Sequence, residues 1–417
     1  MNRIFASPFF ALLRRKNVKS AAKFAIVQEI PYFCWQKIKP MSTLYIWQED
    51  SWPHFTWNNE QIARLLAETH QQLGRLTGIV SMFGFEQKTN TFLDAITQEI
   101  VHSAEIEGEI LNHDSVRSSV ARQLGLPYAG LPRIDHYVEG VVQIMVDATQ
   151  HAEQPLTDER LFGWHAALFP TGYSGAYKIT VANWRQSQDA MQVVSGAMGH
   201  YQVHFEAPPS EQVPMMMTQF LEWLNADNDV DPLIKAAIAH LWFVTIHPFE
   251  DGNGRLCRTI TEMMLARADG MVQRFYSLSS AILNSRKDYY EQLEQTQKGT
   301  RNITAWIEWF LQALHLAIVS SIEKMDRVIQ KTDFWNRHVD TPVNERQRKV
   351  INRLWDGFEG KLNSSKWAKI CHCSQDTAIR DIHDLMEKRI LRDTGEGGRS
   401  KNYELLDLVD FENGAKE

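Results

Sequence analysis

His247, Asp251, Arg255 and Arg258 fall within one short run, His247-Pro248-Phe249-Glu250-Asp251-Gly252-Asn253-Gly254-Arg255-Leu256-Cys257-Arg258. Histidine exchanges a proton near neutrality, so His247 is a candidate base for an attacking hydroxyl. Asp251 offers the hard oxygen donor that Mg2+ takes when it bridges phosphates. Gly252 and Gly254 permit a tight bend whose backbone N–H groups point at one oxyanion. Arg255 and Arg258 share a face of the first helical turn that follows, and guanidinium forks match phosphate oxygens. Each element alone has an ordinary structural explanation: a Gly-Asn-Gly turn, a capping aspartate, a packed histidine. Their convergence on one helix start favours transfer of a phosphate-bearing group.

Two helices must hold this run. Asp231-Pro232 has the form of a helix start, with a capping acid and proline at the first helical position. Leu233 to Thr245 is apolar on nearly every face, which predicts a buried helix. Pro248 cannot continue it and biases His247 away from helical backbone. A second helix is expected from about Gly254 to Ala268, its N-terminus adding unpaired donors and a positive dipole end.

The pattern His-Pro-Phe-x-Asp-Gly-Asn-Gly-Arg-x-x-Arg is similar to the signature of the Fic (filamentation induced by cAMP) domain family, with Glu250, Leu256 and Cys257 in its variable slots. Around it, Gly175-Ala176-Tyr177-Lys178 resembles the family's Gly-x-Tyr-Arg element with Lys in place of Arg. Val203-His204-Phe205-Glu206-Ala207-Pro208-Pro209 resembles the flap strand that docks a target segment by strand addition. Tyr289, Tyr290, Leu293 and Gln297 resemble the segment lining the base pocket. The resemblance covers roughly residues 100 to 315.

The resemblance implies a protein adenylyltransferase that moves AMP from ATP, with Mg2+, to a Ser, Thr or Tyr hydroxyl of a target protein. It makes His247 the base and Asp251 the metal ligand. Backbone N–H groups of Gly252, Asn253 and Gly254 would hold phosphate oxygens, with the Asn253 side chain helping. Arg255 would take the β-phosphate region and Arg258 the γ-phosphate.

Upstream, Ser103 and Glu107 lie four apart and share a helix face, followed by Gly108. Spacing alone describes an ordinary amphipathic helix. The segment also resembles the family's (Ser/Thr)-x-x-x-Glu-(Gly/Asn) inhibitory helix, in which the Glu pairs with the second signature arginine, Arg258. Some relatives use that Glu to remove AMP, an alternative that stays open. A homodimer that adjusts inhibition is a further expectation from the family.

The 417-residue chain is 44% hydrophobic and carries a formal charge of −7. That balance fits a globular protein and argues against bulk nucleic-acid affinity. Cys34, Cys257, Cys371 and Cys373 form no disulfide framework and fit a reducing cytoplasm. Cys371-His372-Cys373 has poor zinc spacing, so burial is the favoured reading. No stretch reads as long and apolar enough to span a membrane. Residues 1–40 are a basic extension unlike the rest. Met41 is the expected native start, ahead of a membrane-surface anchor.

The expected fold class is mainly α: a helical core with a β-hairpin flap and a C-terminal winged helix-turn-helix. Residues 41–150 form an N-terminal helical region, 151–330 the core and 341–410 the winged unit. Thr43 to Trp57 reads as a packed irregular segment or short hairpin. Helices are expected at Asn59–Gly74, Asn90–Gly108 capped by Asn90, Asp114–Leu124, Asp135–Thr149, Thr157–Leu168 and Val213–Asn225. Thr304–Val328 has a core stripe of Trp306, Trp309, Phe310, Leu314 and Ile318. Glu345–Asp356, Ser364–Ile370 and Ser374–Lys388, with a wing over Gly395 to Gly398, resemble a winged helix. Arg399 and Lys401 suit DNA phosphates, whereas Asp376, Asp381, Asp384 and Glu387 on the reading helix oppose them, leaving DNA binding and protein docking balanced. Two function classes stand: a self-inhibited nucleotidyltransferase, and a nucleic-acid-binding regulator whose core senses nucleotide.

Overall fold

The computed structural model describes residues 45–126, 136–187, 189–196, 202–271, 273–358, 360–395 and 401–407, together with the backbone of 33–35. Residues 1–32, Met41, Asp135, Gly398 and Arg399, on which expectations fell, lie outside the described residues.

The N-terminal half is helical: α1 (Asn59–Ser81), α2 (Phe85–Ile106), α3 (His113–Gln123), α4 (His136–Gln150) and α5 (Asp158–Leu168). A small hairpin follows, β2 (Tyr173–Ser174) and β3 (Tyr177–Lys178). Then β4 (Gln192–Ser195) and β5 (Gln202–Glu206) pair antiparallel, and β1 (Phe33–Trp35) adds to the free edge of β4. The remaining helices are α6 (Val213–Asn225), α7 (Pro232–Ile246), α8 (Asn253–Asp269), α9 (Leu278–Asn284), α10 (Arg286–Gln297) and α11 (Thr304–Arg337). A C-terminal group holds α12 (Glu345–Trp355), α13 (Ser364–Cys371), α14 (Gln375–Glu387) and the antiparallel pair β6 (Leu391–Asp393) and β7 (Tyr403–Leu405).

The centre of the molecule is α7. From Leu233 to Ile246 every residue except Lys235 is buried, and α8 packs against it as the second arm of a hairpin. A helix apolar all round is stable only when surrounded, and α6, α8 and α11 supply the cover. Polar start signals fix its register: the Asp231 carboxylate accepts from the Leu233 N–H at 2.9 Å, with Pro232 following. Elsewhere Asn58, Thr157 and Asn344 cap α1, α5 and α12 in the same way. The result is a mainly helical core with small β-hairpins. A second, smaller core joins Phe334 at the end of α11 to Val350, Trp367, Ile382, Leu385 and Leu405.

Several expectations are corrected. α1 runs past Gly74 to Ser81 because Leu76, Ile79 and Val80 continue its buried stripe. α2 begins at Phe85 behind Gly84, so Asn90 lies inside the helix and caps nothing. Of the two readings of the segment before α1, the packed irregular one holds over Tyr45 to Trp57, with a short 3-10 turn at Ile46–Gln48, and the hairpin does not. α11 extends beyond Val328 to Arg337 and is long and apolar enough, by length and composition, to cross a membrane, contrary to the sequence reading. Its Trp306, Ile307, Phe310 and Leu314 are instead consumed by the protein core. Cys371 and Cys373 are free and partly buried, and His372 ends α13 in left-handed backbone at φ 50°.

Candidate active site

The signature loop is a bend locked by its own side chains. Pro248 stops α7, and His247 caps it in left-handed backbone at φ 52°. The Asn253 side chain closes the bend: its carbonyl accepts from the Phe249 N–H at 2.9 Å, and its amide donates to the Phe249 C=O at 2.8 Å. Asn253 is therefore a staple for the loop. Phe249 is fully buried, stacked on His165 with centroids 4.2 Å apart. Gly252 adopts φ 81°, where an added Cβ would meet Phe169 at 2.8 Å, so glycine is needed both for backbone and for space.

His247 lies against a cavity of about 950 Å³, also lined by Glu107, Gly108, Asp251, Gly252, Asn253, Gly254 and Arg255. That volume is at the upper end for small-molecule sites. Its Nδ1–H donates to the Val244 C=O at 3.2 Å, because a carbonyl can only accept. This tautomer puts the lone pair on Nε2, the form a general base requires. Burial, then the nearby Arg185 guanidinium, pushes the His247 pKa down to about 4. The imidazole is thus neutral at physiological pH.

Asp251 receives the Gly252 N–H at 2.6 Å on one oxygen and the Ser174 hydroxyl on the other. Glu250, a variable signature position, takes the backbone N–H and hydroxyl of Thr180 at 3.0 and 2.8 Å, tying the β2–β3 hairpin to the loop. Tyr177 and Lys178 are exposed on that hairpin at the cavity rim. The buried guanidinium of this region is Arg185, which donates to the His247 C=O at 2.8 Å and the Pro208 C=O at 2.5 Å.

Arg258 is 2% exposed and anchored on α2: Nε donates to the Ser103 hydroxyl and Nη2 to the Ser103 C=O, each at 2.8 Å. Glu107 meets the same Nη2 at 2.8 Å. Burial disfavours the Arg258 charge, but Glu107 outweighs it and holds the pKa above its ordinary value. Gly254 is what lets the carboxylate in, since a Cβ there would stand 2.1 Å from Glu107 Oε1. Arg255 is also occupied. Its Nη1 donates to both oxygens of Glu109 at 3.1 Å and to the Tyr137 hydroxyl at 2.5 Å.

Most of the remaining expected residues assemble around the cavity. Tyr289, Tyr290 and Gln297 line it from α10, and His204 and Phe205 from β5. Tyr289 and His240 share a 2.9 Å hydrogen bond, and Gln297 donates to Thr245 at 3.2 Å. His204 is pinned between Ser195 and Glu294 at 2.5 Å each. Val203 and Glu206 do not line the cavity; Gln192 binds the Glu206 carboxylate and Trp47 its carbonyl. Sequence reasoning missed Glu109, Tyr137, His165, Ser174 and Arg185, which come from segments remote from the loop or carry no spacing signal of their own.

The residues suit an oxyanion ligand. Arg255 Nε and Arg258 Nη1 are buried without hydrogen-bond partners among the described residues. Such orphaned cationic donors are costly unless an anion reaches them. No cluster of three or more metal-ligating side chains occurs among the described residues. Asp251 alone matches Mg2+, which binds through one or two carboxylates plus substrate phosphates.

Comparisons agree with this geometry. Residues 155–265 match the Fic/DOC family, and residues 45–126 match a domain of unknown function, DUF4172. The chain is 26% identical over 215 residues to the protein adenylyltransferase Fic of Nematostella vectensis, covering 49% of this chain and 44% of that protein. It is 36% identical over 103 residues to protein adenylyltransferase fic-1 of Caenorhabditis elegans, covering 24% of this chain and 19% of the other. The matched stretches therefore span less than half of these relatives. Among solved structures, a Fic family protein from Desulfovibrio desulfuricans superposes with TM-score 0.48 at 22% identity, covering 82% of this chain and 95% of that one. The signature loop, its histidine and its arginines all lie inside residues 155–265, the segment that matches the Fic/DOC family.

Proposed function

We propose that this protein is a protein adenylyltransferase restrained by Glu107. ATP places its phosphates over the 251–258 loop, with Arg258 as the γ-phosphate partner and Asp251 as the residue that would hold Mg2+. The ion supplies charge neutralisation when bound. A Ser, Thr or Tyr hydroxyl of a target protein attacks the α-phosphorus while Nε2 of His247 takes its proton. The new oxygen–phosphorus bond forms as the bond to pyrophosphate breaks. Such transfers depend mainly on positioning and electrostatic stabilisation.

The observation that carries this reading is the 2.8 Å pair between Glu107 and Arg258 at a loop that shares its cavity with neutral His247. A carboxylate and a γ-phosphate compete for one fork, and the tethered one starts in place. A mere nucleotide sensor has no need of a neutral imidazole there. Intact-mass measurement with ATP and Mg2+ tests the reading. Glu107→Gly should gain one AMP mass on itself or an added protein far faster than the unaltered chain. Adding His247→Ala should lower that rate by about 10²–10⁴-fold. Equal labelling with and without His247 would remove it from the mechanism.

Residues 341–410 read as a winged-helix accessory. On α14, Asp381 is held by Arg346 at 2.7 Å and Asp384 by Lys388 at 2.5 Å, so both acids are matched internally. The exposed face mixes Arg380 and His383 with Asp376 and Glu387. So balanced a surface favours docking to protein over a phosphate backbone.

A further inference from the structure

We propose that Arg185 is a positioning residue that holds the backbone of His247 and the end of β5 in one frame. Its side chain is 2% exposed. Nε donates to the His247 C=O at 2.8 Å, while Nη2 donates to the Pro208 C=O at 2.5 Å and reaches the Ile246 C=O at 3.4 Å. Its own N–H donates to the Pro248 C=O at 2.9 Å. These contacts satisfy carbonyls that the end of α7 leaves without helical partners, at the negative end of the dipole. They also stabilise His247 in a left-handed backbone that non-glycine residues seldom adopt. Pro208 follows β5, so one guanidinium ties the strand that borders the cavity to the residue that takes the proton. Trp184 fixes the arginine by packing on Phe249 and Phe162, with centroids 5.1 and 4.6 Å away. Arg185 itself does not line the cavity.

The proposal rests on the adenylyltransferase reading only for its kinetic arm. In the Glu107→Gly chain, Arg185→Gln should lower kcat about 10–100-fold with nucleotide affinity unchanged, as misplacement of a reacting group does. Independently, NMR titration of His247 should show its pKa rising, because Arg185 opposes protonation while Asp251 and the Val244 carbonyl favour it. Arg185→Lys keeps the charge without the fork; it should retain the low pKa and still lose rate. If Glu107→Gly transfers no AMP but the titration moves, the adenylylation reading falls and the positioning role stands. Unmoved kcat and titration overturn the proposal. So does failure of both variants to fold, which would assign Arg185 to the fold alone.

A separate observation carries a second inference: the structure assigns Glu109 as a rival anion for Arg255. Gly108 turns at φ 81°, and the two flanking carboxylates reach the two signature arginines, Glu107 to Arg258 and Glu109 to Arg255. The Tyr137 oxygen accepts from Arg255 while its O–H donates to Glu109, closing a three-way contact. Arg255 is 6% exposed and Glu109 39%, so the acid has a solvated place to go when displaced. This deepens the inhibition reading by adding a second displaceable contact at the β-phosphate position. Calorimetry with ADP tests it without any transfer step. Glu109→Gln should bind ADP on the order of tenfold more tightly than the unaltered chain, with AMP unaffected. ADP affinity indifferent to Glu109 sinks the inference. ADP binding to no variant sinks it together with the nucleotide cradle.

Discussion

At the scale of single residues, the loop shows how one side chain can hold a bend together. Asn253 is 2% exposed and spends both ends of its amide on Phe249. Asn253→Ala would leave a buried N–H and a buried C=O unpaired and should cost about 2–4 kcal/mol. Urea unfolding measures this; a stability within about 0.5 kcal/mol of the unaltered chain would show that the loop is held by other means. His247, Asp251, Gly252, Gly254, Arg255 and Arg258 were legible in the sequence because their spacing is local. The partners of the arginines were half legible. Ser103 and Glu107 stood out through the resemblance to an inhibitory helix, since their spacing alone described an ordinary amphipathic one, while Glu109 had only its nearness to Glu107. Tyr137 had no signal at all.

At the scale of elements, α6 and α7 were placed closely, whereas α1 and α11 run on past their expected ends. Val213–Asn225 has the expected bounds, and α7 differs from Leu233–Thr245 by a residue at each end. α10 was not anticipated as a helix because its composition is strongly polar. Its buried Tyr289, Leu293, Thr296 and Gln297 nevertheless keep the four-, three- and one-residue steps of a helical face. In the hairpin α7–α8 the loop joins two arms that are both buried almost throughout. The β4–β5 pair is anchored less deeply, through Phe205 against Tyr45 and through His204 between Ser195 and Glu294.

For the whole molecule, folding stability should depend on pH through its buried neutral histidines. His165 accepts the Ala182 N–H on Nδ1 at 3.1 Å and donates from Nε2 to the Asp251 C=O. A second ring proton would face that N–H. Burial first, outweighing the Asp251 carbonyl, pushes its pKa down to about 4. Between about pH 6.5 and pH 4 the unfolded chain binds a proton that the folded one refuses, so stability falls as pH falls through that window. From pH 7 to pH 5 the unaltered protein should lose about 2 kcal/mol more than His165→Gln. Parallel urea midpoints for the two proteins across that range would contradict the assignment.

The sequence by itself determined the signature bend, since its histidine, acid, glycines and arginines are contiguous and its shape follows from local backbone and side-chain type. It also determined most helices, because a repeating apolar face is a one-dimensional property. The Glu107–Arg258 pair was expected from the resemblance, but only the tertiary structure decided that Arg255 is held by Glu109 and Tyr137 and that Ser103 anchors Arg258, because these partners reach the loop from elements far away in the chain. It alone decided that His247 is neutral and that Arg185 grips its backbone. Burial and long-range hydrogen bonding arise from packing, and packing has no signature in residue spacing.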